Sequence, residues 1–233
     1  MEIRHLNYRT VRSKNTEKYG FAEYIKMVYA HMGIGLLLSG IAAYLTSQSM
    51  DIMMKFTTKQ VWVILLVPFL LLLWLNINIQ RMSNTTARIF YALFTITNGI
   101  SLAPIFYIYT SESITSCFFS TSAIFLCMAL YGHFTKRDLS SLGSLCIMGL
   151  WGVIIASILN RFIMRSSTIM FLSTIISVFV FVGLIAYDSQ KLKLLYSLKS
   201  DNQKTAIIGA LALYLDFINL FLDLLRLFGT RRK

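Results

Sequence analysis

The sequence is poor in charged residues, and acidic residues are fewer than basic ones. Charged residues make up 14% of the 233-residue chain, against roughly 25% in soluble domains, and only 10 acids stand beside 22 bases. Hydrophobic residues account for 56%. A soluble core of this size could not bury so many apolar runs of about 20 residues. The composition therefore predicts an all-α polytopic membrane protein.

Cysteine and histidine are also few, with 3 of each. The cysteines lie inside apolar runs without a CxxC pair, which indicates small buried side chains. The histidines lack HExxH spacing, and no GxxxxGK[ST] loop occurs. No Ser/His or paired-metal arrangement appears at helical spacing. We therefore expect no zinc site, no ATP hydrolysis, no cofactor and no enzymatic activity.

Seven apolar runs divide the chain into a polar cytoplasmic tail, 1–26, and a seven-helix transmembrane domain, 27–233. The tail is too long and too charged for a signal peptide. The runs predict membrane spans at about 27–45, 60–79, 89–109, 115–134, 139–159 and 168–187, and from about 206 onward.

The basic residues lie at the ends of the apolar runs rather than in one patch. This distribution is typical of orientation signals, predicts a cytoplasmic amino terminus and argues against nucleic-acid binding. The basic carboxyl terminus would then lie outside, which contradicts the tendency of basic residues to lie on the cytoplasmic side. Either the early spans set the orientation or the last helix does not fully cross. Short loops and the lack of a signal favour a bacterial inner membrane.

The last two spans carry acids that are costly in a bilayer. Asp188 directly follows the sixth run, and the seventh carries a polar stripe on one helix face. The stripe consists of Asp216, Asn219, Asp223 and Arg226. An ionised carboxylate near the bilayer centre costs about 3 kcal/mol, so such groups usually face a protein interior or a watered cavity. Because Asp223 and Arg226 are one turn apart, we expect an intrahelical ion pair.

Two earlier spans carry polar features with open interpretations. Asn98, Gly99, Ser101 and Pro104 lie at mid-depth in the third span, where they predict either a softened helix that lines a cavity or a packing kink. Arg81 follows the second run, and its spacing alone favours a snorkelling or loop arginine.

Four segments resemble the Bax inhibitor-1 family of membrane proteins. The segment 177–191, with Tyr187-Asp188 followed by Gln190, resembles the family's sixth helix, and 210–229 resembles its last helix. The run NGISLAPI at 98–105 and the turn KRDLSS at 136–141 resemble two further family segments. The resemblance covers most of the chain from about Arg81 onward, whereas the first third matches only in hydropathy.

The resemblance implies a seven-helix fold with the last helix central and wrapped by the other six. It also implies that Asp188 and Asp216 act as a pair and that Arg81 contacts the first of them, which makes these three the predicted pH-sensing and gating residues. Members of the family are associated with pH-responsive calcium leak, and with the regulation of cell death or proteases through partners.

Two close, partly desolvated carboxylates share one proton and titrate as a unit. We therefore predict a latch in which the proton shared by Asp188 and Asp216 holds the last two helices together until it is lost. The alternative interpretation is that the two acids only hold the helices together. Tight calcium binding needs six to eight oxygens, so we expect only a weak calcium site at this pair. The predicted ion pathway also includes Asp223, Asn219 and Asn98.

Two functions from different classes are compatible with these features. The first is a pH-sensitive leak channel for calcium or other cations in the lipid bilayer. The second is an integral-membrane regulator that binds a membrane protease or another membrane protein and transports nothing. A measurement of calcium flux in liposomes separates the two.

Overall fold

The computed structural model describes residues 20–56, 61–198 and 202–232, so most of the predicted tail lies outside the described residues. Seven described helices are long and apolar enough to cross a membrane, which confirms the predicted all-α, seven-span class. They are α1 (Phe21–Ser47), α2 (Val61–Asn78), α3 (Asn84–Leu102), α4 (Ser111–Phe134), α5 (Ser140–Leu159), α6 (Ser167–Leu198) and α7 (Asn202–Phe228).

Two helices extend beyond their predicted spans. Helix α1 begins at Phe21, inside the segment assigned to the tail. Helix α6 continues to Leu198, well past the apolar run that ends at Tyr187. The predicted spans follow hydropathy, whereas the helices continue into polar sequence. Asp188 therefore lies within α6 and not at its end.

Helices α3 and α5 both end in irregular turns. Helix α3 stops at Leu102, and a short helix, Ile105–Ile108, begins after Pro104. Proline has no N–H to donate, so the helical ladder is interrupted there. The interruption is compatible with both interpretations of this span, a helix that lines a cavity and a packing kink, and the choice between them stays open. Helix α5 runs on through a π-helical turn, Asn160–Met164, which ends at Arg165 in the left-handed conformation, with φ 47°.

The described residues up to Ala103, together with Leu192–Leu211, form one compact unit. Helices α1 and α3 make its main contact, where a Cβ added to Gly99 would overlap the backbone of Ser39. The Ser39 hydroxyl donates to the Thr95 carbonyl at 2.7 Å. Small residues thus let the two backbones approach, as they do at many membrane helix interfaces.

The second unit consists of Pro104–Lys191 and Ala212–Lys233. Within it, α4 and α6 approach so closely at Gly132 that an added Cβ would overlap the Ala186 carbonyl oxygen. Gly143 of α5 makes a similar close contact with the Tyr187 ring. These two glycines fix the part of α6 that carries Asp188.

Replacing Gly132 by alanine is expected to destabilise the protein by about 1–3 kcal/mol, because the obstructing atom belongs to rigid backbone. Thermal unfolding of the purified protein in detergent measures this change. Gly152→Ala is the matched control, since a Cβ there meets nothing within 4 Å. Equal unfolding temperatures for the two variants would contradict the packing described at Gly132.

Helix α7 is long enough for a full crossing, since its 27 residues span about 40 Å. Beyond its end, Tyr109 and Arg231 form an antiparallel bridge, and the Thr110 N–H donates to the Thr230 carbonyl at 3.1 Å. The length favours a complete last span over a partial one. The side of the membrane that holds each terminus stays a prediction.

Helix α7 also has the largest buried share of the seven spans. Its most apolar 18-residue window is 67% buried, compared with 11% for α2. A buried share this large is typical of an interior helix. The central position of α7 stays a prediction. The large apolar side chains exposed on α2 and α5, including Trp62, Trp74 and Trp151, fit a surface that lies against lipid.

Candidate functional site

The carboxyl groups of Asp188 on α6 and Asp216 on α7 lie within hydrogen-bonding reach of each other. Asp216 is buried, with 5% of its surface exposed, and Asp188 is half-buried. A hydrogen bond between two carboxyl groups needs a proton on one of them, because an ionised carboxylate only accepts. The arrangement is therefore suited to holding one proton between the two acids.

The helix positions just before each acid of the pair are closely packed. Ile185 and Ala186 before the first acid and Leu213 and Tyr214 before the second are each fully buried. The second oxygen of Asp216, Oδ2, is buried and accepts no hydrogen bond from the described part of the chain. An unsatisfied buried carboxyl oxygen is costly. The surroundings therefore oppose a second negative charge at this position.

Lys191 is a site residue that the sequence analysis missed. It follows Asp188 by three residues on α6, and its ammonium group attracts both carboxyl groups of the pair. Its Nζ also lies 5.6 Å from the centre of the Tyr187 ring. The helical spacing from Asp188 was the available signal, but Lys191 was assigned to a loop because the apolar run ends before it.

Gln190 fixes the position of α6 beside the pair. Its Oε1 accepts from the Leu139 N–H at 2.8 Å, and its Nε2 donates to the Arg137 carbonyl at 2.7 Å. One side chain thereby links α6 to the turn before α5. In the sequence, Gln190 stands out only as part of the family resemblance, which gives it no role.

A second polar cluster lies two turns further along α7. The Ser177 hydroxyl of α6 donates a short hydrogen bond to Oδ2 of Asp223, and Arg226 forms an ion pair with Oδ1 at 3.3 Å. The predicted intrahelical pair of Asp223 and Arg226 is thus confirmed. Asp223 is 4% exposed, so its carboxylate is largely shielded and depends on these two partners.

Asp223 and Ser177 form the buried end of a cavity of about 820 Å³. The cavity lies between the end of α5, the start of α6 and the last turns of α7. Most of its other lining side chains bear a hydroxyl, an amide or a guanidinium group. They include Ser157, Asn160, Arg161, Arg165, Ser166, Ser167, Ser173, Thr174 and Arg226.

The remaining predicted site residues lie elsewhere. Asn219 is half-buried on α7, between the two acids of its stripe, and Asn98 is half-buried within α3. Arg81 lies in the turn after α2, where its N–H donates to the Asn78 carbonyl at 2.8 Å, and it is exposed. The gating role of Arg81 and the pathway roles of both asparagines stay predictions.

The described residues contain no group of three or more His, Cys, Asp or Glu side chains placed to hold a metal ion. The Asp188 and Asp216 pair offers at most four carboxyl oxygens, one of them protonated. Tight calcium sites use six to eight oxygens. The predicted weak calcium site at this pair stays a prediction.

Comparison with known proteins identifies the class. Residues 22–233 match the family model described as "Inhibitor of apoptosis-promoting Bax1". The chain is 41% identical to inner membrane protein YbhL of Escherichia coli, over 91% of this chain and 94% of that protein. It is 42% identical to an uncharacterized protein of Rickettsia prowazekii, over 96% of both chains. It is 34% identical to protein YrjE of Lactococcus lactis, over 90% of this chain and 92% of that one.

The helical architecture and these matches define an integral membrane protein. The chain belongs to the Bax inhibitor-1 family. The family resemblance noted in the sequence is thereby confirmed over most of the chain, including the first third, where only hydropathy had matched.

Proposed function

We propose that the protein is a pH-gated leak channel for calcium or other cations. The observation that carries this proposal is the close approach of the Asp188 and Asp216 carboxyl groups, which one shared proton would join across two membrane-spanning helices. A purely structural contact between helices would not need a titratable pair in surroundings that oppose charge. A proton-dependent contact at this position supports a role in gating.

The gate works through the loss of that proton. In the protonated pair the hydrogen bond holds α6 against α7. When the proton leaves, the hydrogen bond is lost and the two negative charges repel each other, which the Lys191 ammonium offsets only in part. A hydrogen bond to a charged group contributes about 1.5–3 kcal/mol, and each 1.4 kcal/mol changes an equilibrium tenfold. Its loss therefore shifts the equilibrium between the closed and open states about 10- to 100-fold toward the open state.

A cation path would continue along the polar face of α7. Asp216, Asn219 and Asp223 lie on that face at intervals of three and four residues. Isolated carboxylates bind calcium weakly, because they replace only part of its hydration shell. Weak sites favour passage, since an ion that binds tightly does not leave.

The test is calcium flux into liposomes that contain the purified protein and a trapped calcium indicator. The same pH is set on both sides and varied in steps, with protein-free liposomes as the baseline. We expect flux above the baseline that rises as the pH increases, because deprotonation opens the gate. Flux that is absent, or that does not change with pH, would contradict the proposal.

The competing function, regulation of a membrane protease or another membrane partner without transport, stays a hypothesis. Its support is the family association and the lack of a tight ion cage among the described residues. It predicts no flux at any pH. The liposome measurement therefore decides between the two functions.

A further inference from the structure

The cavity beside Asp223 is rich in arginine, which a cation path does not need. Three arginines line it, Arg161, Arg165 and Arg226, against a single acid. Arg226 is paired with Asp223. Within the described ranges, Arg161 and Arg165 have no carboxylate partner. The cavity therefore carries an excess of positive charge at Arg161 and Arg165, which attracts an anion.

Hydroxyl groups of serine and threonine side chains line the wall between these arginines. The hydroxyls of Ser173, Thr174 and Ser177 already donate to the Met170 carbonyl or to Asp223. The hydroxyl donors available to a ligand are therefore those of Ser157, Ser166 and Ser167. Guanidinium groups bind phosphate oxygens through two parallel N–H bonds, and hydroxyl groups supply further donors. The lining thus suits a group with several charged oxygens better than a halide or a single carboxylate.

The backbone beside the cavity is held in an uncommon conformation. Arg165 has a φ of 47°, which a residue with a side chain rarely adopts. Asn160 stabilises this turn from both sides, because its Nδ2 donates to the Ser166 carbonyl at 3.0 Å and its Oδ1 accepts from the Ser166 N–H at 2.8 Å. The turn carries two of the three arginines, so this conformation fixes the backbone positions from which both side chains extend.

We infer that this cavity is a binding site for a phosphate-bearing anion. It lies at the ends of membrane-spanning helices, which is the depth of lipid headgroups. Apolar side chains on the same turn are exposed beside it, with Phe162 at 70% and Ile163 at 73%. The phosphate can therefore belong to a phospholipid whose chains lie along these residues, or to a free phosphate ion. The inference concerns binding and does not depend on the proposed channel function.

Two binding measurements on the purified full-length protein test the site and distinguish the sources. Native mass spectrometry measures retention of added phosphatidylglycerol and phosphatidylcholine, and equilibrium dialysis measures binding of radiolabelled inorganic phosphate. The variant is R161Q/R165Q, which removes two exposed guanidinium groups. We expect it to lower the affinity for the bound anion about tenfold, because it loses the charge-assisted hydrogen bonds.

The matched control is K136Q/R137Q, which removes the same charge from an exposed turn outside the cavity. The control is expected to bind within about twofold of the wild type. Preferential retention of phosphatidylglycerol without phosphate binding identifies a lipid site, and binding of both identifies a site for the phosphate group itself. The single variant R161Q, which keeps the left-handed turn intact, repeats the test should the double variant misfold. Binding of neither ligand, or equal losses in cavity and control variants, would overturn the inference.

Discussion

Replacement of both paired acids by asparagine, D188N/D216N, is expected to remove the pH dependence of calcium flux. The two amides can still hydrogen bond to each other, so α6 and α7 stay in contact, but no proton can be lost. Flux in this variant should stay near the closed-state level, with less than about a twofold change across a pH range that changes wild-type flux about tenfold or more. The measurement is the same liposome assay.

The matched control for this variant is D138N. Asp138 lies between α4 and α5, and hydrogen bonds from the Ser140 hydroxyl and backbone N–H lower the pKa of its exposed carboxyl. It therefore stays ionised as the pH rises from mildly acid values. D138N should keep the wild-type pH response. A D188N/D216N variant whose flux still follows pH would show that other groups sense the proton.

The second large effect is expected from D223N, which should lower calcium flux about tenfold at high pH while the pH midpoint stays unchanged. The substitution removes the negative charge of Asp223 from the polar face of α7 but keeps an oxygen that can accept from Ser177. Arg226 loses its partner, but it is largely exposed, so water can solvate it. The flux would fall because the cation loses a favourable position on its path.

Asp51→Asn is the control, because Asp51 is an exposed acid in the short helix Met50–Lys55. It should leave both the flux and its midpoint unchanged. A shift of the midpoint in D223N would show that Asp223 belongs to the gate. Unchanged flux would place the cation path elsewhere.

The sequence predicted the helices and the acids well because both depend on strong, local physical constraints. An apolar run of about 20 residues has few stable alternatives to a membrane helix. An acid such as Asp216 is energetically costly within such a run, so its presence indicates a specific role. The intrahelical pair of Asp223 and Arg226 follows from helical spacing alone.

The features that were missed depend on how separate helices pack. The role of Gln190 in joining α6 to the turn before α5 cannot be predicted from local sequence, because its partners are backbone atoms near Leu139. Lys191 was missed because the apolar run that defines the predicted span ends at Tyr187, whereas the helix continues to Leu198. The arginine-lined cavity brings together α5, α6 and α7, and no local pattern connects Arg161 with Arg226.

The central claim is that Asp188 and Asp216 hold one proton between them and that its loss opens the channel. Infrared difference spectroscopy of the protein in membranes, between low and high pH, detects the carbonyl stretch of a protonated carboxyl group. The account predicts such a band in the wild type, absent from D188N/D216N, that disappears with the same midpoint at which calcium flux rises. A band that persists through the rise in flux, or a wild-type spectrum without it, would contradict the account.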